Sequence, residues 1–148
     1  MKGLSKKQEK FKWNSDYSVN VKEIDDQHKV ILEFINSLND KVFNGVAESF
    51  ISKNLREMEE YVERHFVMEE KYFTQFNYAG AEDHIREHNA YKEKIKKFEQ
   101  NSIKAISSDD PDYIFELISL LDLGDWWVSH VLYHDKKYSK CFNGHGLI

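Results

Sequence analysis

Cysteine, proline and long apolar runs are all scarce or missing in this chain of 148 residues, and each shortage removes a class of protein. A single cysteine, Cys141, excludes an internal disulfide and agrees with a reducing compartment. No apolar run is long enough for a transmembrane helix. The start, Met1 to Lys7, is basic but lacks the apolar stretch of a secretory signal. An excess of positive charge is also missing: 21 basic against 26 acidic residues leave a formal charge of −5, with no footprint for nucleic acid. Lys2, Lys6, Lys7, Lys10 and Lys12 read as a solvated arm. There is no internal repeat and no low-complexity block. The chain is therefore expected to be soluble and cytoplasmic, a monomer or weak oligomer, with neither nucleic acid nor a membrane as partner.

What the chain does have is apolar periodicity. Hydrophobic residues make up 41% and aromatic residues 14%, enough for one domain with its own core. The expected layout is a single domain over 1–148, with an arm (1–20), a bundle (about 21–138) and a short tail (139–148). Phe11, Trp13 and Tyr17 should pack the arm back on the bundle. The first helix is expected from near Asn20, with Glu23 completing a capping box, and its stripe is Ile24, Ile31, Leu32, Ile35, Leu38 and Val42. Asn44-Gly45 reads as its stop. A second helix spans about Ala47 to Gln75 with Leu55, Met58, Val62, Phe66 and Phe73 inward, and Asn77 to Gly80 forms a turn. A third covers about Ala81 to Ala105, where Tyr91, Ile95 and Phe98 continue the stripe. Pro111, the only proline, follows Asp110 as an N-cap and opens the last helix, with Ile114, Leu117, Ile118, Leu121, Trp126, Trp127 and Val131. No alternating segment competes, so the fold is all-α, an antiparallel up-down-up-down four-helix bundle.

Into these apolar stripes fall His28, then His65 with Glu69, then His84 with His88, then His130 with Asp135. Spacings of four or five place such pairs near one helix face. One histidine on an apolar face is usually a core residue bonded to a carbonyl. Seven polar side chains aimed into one core are another matter, because burying them unpaired is costly. A metal cluster is the simplest resolution. Imidazole suits iron, zinc, copper or nickel, and carboxylate can bridge two cations. Seven ligands exceed what one four-coordinate zinc takes. They suit two six-coordinate ions joined by an oxo or hydroxo bridge, with one position left open for a small molecule. The Glu-x-x-His motif of ferritin-like bundles is absent, since Asp25, Val62, Ala81, Ile85 and Trp127 stand three before the five histidines. So is His-Glu-x-x-His, because Ile85 follows His84. His134, four after His130, competes with Asp135, and a surface position is the simpler reading of it. Cys141 and His145 form a weaker pair in the tail and are left out.

These elements resemble the hemerythrins, especially the bacterial single-domain branch. The matching pieces are Ile24-Asp25-Asp26-Gln27-His28-Lys29, His65-x-x-x-Glu69, His84-x-x-x-His88 and His130-x-x-x-x-Asp135-Lys136-Lys137-Tyr138, with the aromatic lead-in from Trp13 to Tyr17. The resemblance covers about Trp13 to Tyr138. It implies two iron ions, one held by His84, His88 and His130 and the other by His28 and His65, with Glu69 and Asp135 bridging. It also implies reversible binding of dioxygen at the two-histidine iron, in a carrier, store or local supplier rather than an enzyme. Nitric oxide or small anions are further candidate ligands. A sensor of dioxygen, nitric oxide or redox state, or an enzyme reducing peroxide or nitric oxide, are the rivals. Ile31, Phe66, Trp127 and Val131 would line the dioxygen pocket, although ordinary core packing also explains apolar residues there. Trp127 departs from the family, which usually has leucine at that place. Its indole either narrows or gates the pocket or offers its N–H to a bound ligand.

Overall fold

The structure, a computed structural model, describes residues 10–44, 48–108 and 121–148. Three long helices follow one another: α1 (Lys22–Phe43), α2 (Glu48–Gln75) and α3 (Ala81–Ser108). A fourth limb consists of α4 (Leu121–His130), a π-helical turn (Val131–Asp135) and α5 (Lys136–Gly144). No strand occurs among the described residues. α1 packs on α2, α2 on α3, and α4 on both α1 and α3, which closes a ring of four limbs. The direction of the last limb follows from its contacts. At its start the Leu123 carbonyl accepts the Tyr91 hydroxyl at 3.2 Å, deep along α3. At the end of α4, His130 meets His84 and His88 in the first turns of α3. α4 is therefore antiparallel to α3, and the molecule is the four-helix bundle that the periodicity predicts. Asp110, Pro111, Ile114, Leu117 and Ile118 lie outside the described residues, as do Gly45 and the first lysines of the arm.

Every inward position expected on α2 is buried: Leu55, Met58, Val62, Phe66 and Phe73. The apolar core is divided in two. The larger cluster runs along the bundle through Ile31, Leu32, Ile35, Leu55, Met58, Val62, Phe66, Tyr91, Ile95 and Trp127. A smaller one closes the end where α1 begins, from Val19, Val21, Ile24, Phe73, Tyr138 and Phe142. The polar residues singled out above lie between them.

Helix ends show where local chemistry overrode the simplest reading. The Asn20–Glu23 capping box does not form. Asn20 adopts a left-handed backbone (φ 59°), and its N–H bonds to Ser18 Oγ at 3.1 Å. Asp25 instead reaches back from the first turn, accepting from Ser18 Oγ at 2.6 Å and from the Val19 N–H at 2.9 Å. That one carboxylate ties two groups of the entering chain and places negative charge at the positive helix end. Glu23 is left to accept the Tyr72 hydroxyl across the α1–α2 face at 3.2 Å. At the far end of α2, Asn77 (φ 50°) makes a Schellman turn: Tyr78 N–H bonds to Phe73 O at 2.9 Å and Asn77 N–H to Thr74 O at 3.3 Å. The same motif recurs after α5, where Gly146 (φ 86°) lets Leu147 N–H return to Phe142 O at 3.0 Å. The final helix thus continues to Gly144, past the 138 at which the bundle is expected to end, and Leu147 packs on the end cluster.

The arm docks as its aromatics imply. Phe11 and the Asn36 side chain exchange two hydrogen bonds, at 2.9 and 2.8 Å. Lys29 Nζ sits 4.3 Å over the Trp13 ring. The Phe11 ring lies so close to Gly124 of α4 that a Cβ there would overlap it. Gly124→Ala should therefore displace the arm and lower stability by about 1–3 kcal/mol, despite the better helix propensity of alanine. The double variant Phe11→Ala/Gly124→Ala should show less loss than the two single effects added. Thermal melting of the three variants measures this, and simple additivity would contradict it.

Candidate metal centre

Five imidazoles and two carboxylates converge in the layer between the two apolar clusters. α1 contributes His28; α2 contributes His65 and Glu69 one turn apart; the first turns of α3 contribute His84 and His88; α4 ends on His130. Asp135 comes from the π-turn, and the turn is what brings it in. The spacing of five is expected to keep His130 and Asp135 near one face, but at about 100° per residue a regular α-helix would set them about 140° apart. The wider turn, marked by the bond from Lys136 N–H to Val131 O, absorbs the extra residue. Asp135 Oδ1 then stands 3.0 Å from His130 Nε2. His134 is left half-buried near Glu87 at 3.7 Å, outside the cluster.

The cluster has two lobes. Toward one side, His65 Nε2 is 2.6 Å from Glu69 Oε1, and His28 Nε2 is 3.6 Å from Glu69 Oε1 and 3.1 Å from Asp135 Oδ2. Toward the other, His84 Nε2 lies 3.4 Å from Glu69 Oε2 and 2.9 Å from Asp135 Oδ1, and His88 Nε2 lies 3.2 Å from Glu69 Oε2. Each carboxylate turns one oxygen to each lobe. All seven residues are buried. The ligating atoms of Glu69, His84, His88, His130 and Asp135 lie within 4.8 Å of one another, and so do those of His28, His65, Glu69 and Asp135.

Chemistry supplies the test of fit. The Nε2 atoms of all five histidines, with Glu69 Oε2 and both Asp135 oxygens, are buried without any hydrogen bond, although ion-pair partners are near. Atoms that point at common centres rather than along hydrogen bonds to each other are what cations require. The opposite ring nitrogens are occupied in two cases. His65 Nδ1 donates to Gln27 Oε1 at 2.5 Å, and His88 Nδ1 to Glu70 Oε1 at 3.1 Å. Such bonds fix the tautomer and leave Nε2 as a lone-pair donor. Tyr138 donates its hydroxyl to Glu69 Oε1 at 3.1 Å.

The family model described as Hemerythrin HHE cation binding domain matches residues 19–141. The chain belongs to the hemerythrin family. It is 29% identical over 134 residues to a bacteriohemerythrin of Clostridium acetobutylicum, covering 86% of this chain and 98% of that protein. It is 29% identical over 133 residues to one from Methylococcus capsulatus, covering 87% and 93%. A hemerythrin-like protein of Naegleria gruberi is 27% identical over 128 residues, covering 86% and 90%. Among solved structures, a wild-type hemerythrin superposes with a TM-score of 0.72 at 25% identity, covering 88% of this chain and 96% of that one.

For a hemerythrin-family site, three contacts here were not assigned from sequence: Gln27 to His65, Glu70 to His88 and Tyr138 to Glu69. Each partner lies beside a ligand-type residue in sequence or on a facing limb, so adjacency was the only available signal. The residues expected to line a pocket, Ile31, Phe66, Trp127 and Val131, are all buried. Phe66 stacks on His88 at 3.7 Å, and Trp127 packs against both His28 and His65 at 5.6 and 5.8 Å between ring centres.

The cluster without metal is electrostatically unusual. Burial pushes His28 and His84 down, but the close carboxylates of Asp135 and Glu69 outweigh it and raise both to about 9. Burial keeps His65 below the ordinary imidazole value despite Glu69. Glu69 and Asp135 are held well below the usual carboxylate range: burial opposes this, as does Glu69 on Asp135, but the histidines prevail. Stability from the raised histidines is present below their unfolded value near 6.5 and is lost as pH rises through about 9. Metal-free protein should therefore melt at falling temperatures from about pH 6.5 to 9. Metal-loaded protein, whose ligands have no proton left to lose, should hold, so the gap between their melting temperatures widens over that window. A constant gap would contradict the account.

Proposed function

We propose that this chain holds two iron ions and binds dioxygen reversibly, as a cytoplasmic carrier, store or local supplier. The observation that carries the reading is the division of the seven buried side chains into a two-histidine and a three-histidine lobe spanned by both carboxylates. His84, His88 and His130 would hold one ion and His28 and His65 the other, with Glu69 and Asp135 shared between the two sets. Iron, when bound, supplies the electrons and the open coordination position that dioxygen needs. The protein's own residues do the rest. Gln27 and Glu70 orient two of the imidazoles. Tyr138, itself buried and held well above the ordinary phenol value by burial first and by Asp135 and Glu69 next, keeps its proton and steadies Glu69. The two-histidine lobe has one imidazole fewer, so the exogenous ligand belongs on that side. Ile31, Phe66, Trp127 and Val131, all buried, keep water out of the core around the site and bring no acid that would drive reduction onward, which favours binding over an enzymatic role.

Titration of anaerobically reduced, iron-loaded protein with dioxygen tests this by absorption. A charge-transfer band should appear with dioxygen and vanish when it is removed. Direct conversion to the oxidised spectrum, with no reversible species, would contradict reversible binding and favour peroxide or nitric oxide reduction instead.

A further inference from the structure

Trp127 is the largest fully buried side chain among the described residues, and its Nε1–H has no hydrogen-bond partner. A buried N–H left unpaired is rare enough to need a reason. Tight packing fixes the ring in place: between ring centres it lies 5.6 Å from His28 (84° between planes), 5.8 Å from His65 (63°), 6.1 Å from Phe66 and 5.6 Å from Tyr91. An indole held on several sides by other rings is not poised to swing out as a gate. Trp13 also carries a buried, unpartnered N–H, but it belongs to the arm beneath Lys29. Among the described residues, Trp127 alone joins that property to contact with both imidazoles of the two-histidine lobe.

We infer that Trp127 is a specificity-determining residue whose indole N–H donates to the ligand on the two-histidine side, favouring small anions and ligands that gain negative charge on binding, dioxygen among them, over ligands that accept hydrogen bonds weakly. The inference rests on the functional reading above and adds the ligand class. A leucine at this place fills space and offers no donor. The indole fills more space and supplies one in surroundings without competing water, where a hydrogen bond to a charged acceptor is strongest. An anion bound there satisfies the N–H, whereas a ligand that cannot accept leaves it unpaired. Bulk and donor act in opposite directions, and that difference separates them experimentally. If bulk governs the site, a smaller residue admits the anion more easily. If the donor governs it, a smaller residue weakens anion binding.

Azide is the probe, titrated by absorption into oxidised, iron-loaded wild-type, Trp127→Phe and Trp127→Leu proteins of measured iron content. Both substitutions should weaken azide binding by about 10- to 100-fold. Nitric oxide binding to the reduced proteins should change far less. Ultraviolet resonance Raman spectra of the wild-type protein should show one indole N–H becoming hydrogen-bonded when azide is added, a readout that needs no variant to fold. Unchanged or tighter azide binding in both variants, or an unchanged indole signal in the wild type, would overturn the inference while leaving the iron site intact. Wild-type protein that takes up iron but no azide would overturn it together with the open position on which it depends.

Discussion

Everything in this molecule is arranged around one electrostatic constraint: five imidazoles and two carboxylates are held out of water in a single layer of the core. Unpaired, such groups cost several kcal/mol each to bury. They pair partly with one another, with contacts of 2.6–3.6 Å that raise His28 and His84 and depress Glu69 and Asp135. Yet the nitrogens facing inward make no true hydrogen bonds. The bundle thus contains a polar layer that its own side chains leave incomplete, enclosed by apolar clusters on either side. Its donors come from all four limbs, so cations held there would tie the limbs together at one level.

The two lobes are unequal, and their supports differ too. On the three-histidine side, Phe66 stacks flat on His88 while Glu70 holds its other nitrogen. Trp126 lies parallel to His130 at 4.8 Å. On the two-histidine side Gln27 orients His65, and Tyr138 binds the Glu69 oxygen nearest that lobe. Trp127 covers His28 and His65 with an indole. One lobe is saturated and braced by stacked rings. The other has fewer protein ligands and, beside them, the unpartnered buried N–H of Trp127. Such inequality supports the proposed reading, in which one ion would serve structure and the other would meet a ligand.

Much of this was legible in the residues. Stripes at three and four residues foretell the helices and their buried faces, and His65 with Glu69 or His84 with His88 can be placed on one face by spacing alone. Asp135 is named by the family pattern, but its spacing of five from His130 does not by itself put the two on one face. Regular helix geometry would turn it away from His130, and the π-turn that rescues it follows from no local propensity. The start of α1 was misread because Asp25 outcompeted the Asn20–Glu23 pair by serving Ser18 and the Val19 N–H at once. The last helix extended further than expected because Tyr138, Phe142 and Leu147 bury against residues distant in sequence. Gln27, Glu70 and the Tyr138 hydroxyl escaped for the same reason. Their partners are set by how the limbs pack, and a polar residue on a helix carries no mark of which ring it will meet.

X-ray absorption of the iron-loaded protein most directly tests whether the buried cluster is a two-ion centre. The account predicts an iron–iron scattering shell together with imidazole scattering, at two irons bound per chain. Iron bound singly, with imidazole scattering but no iron–iron shell at full loading, would contradict it.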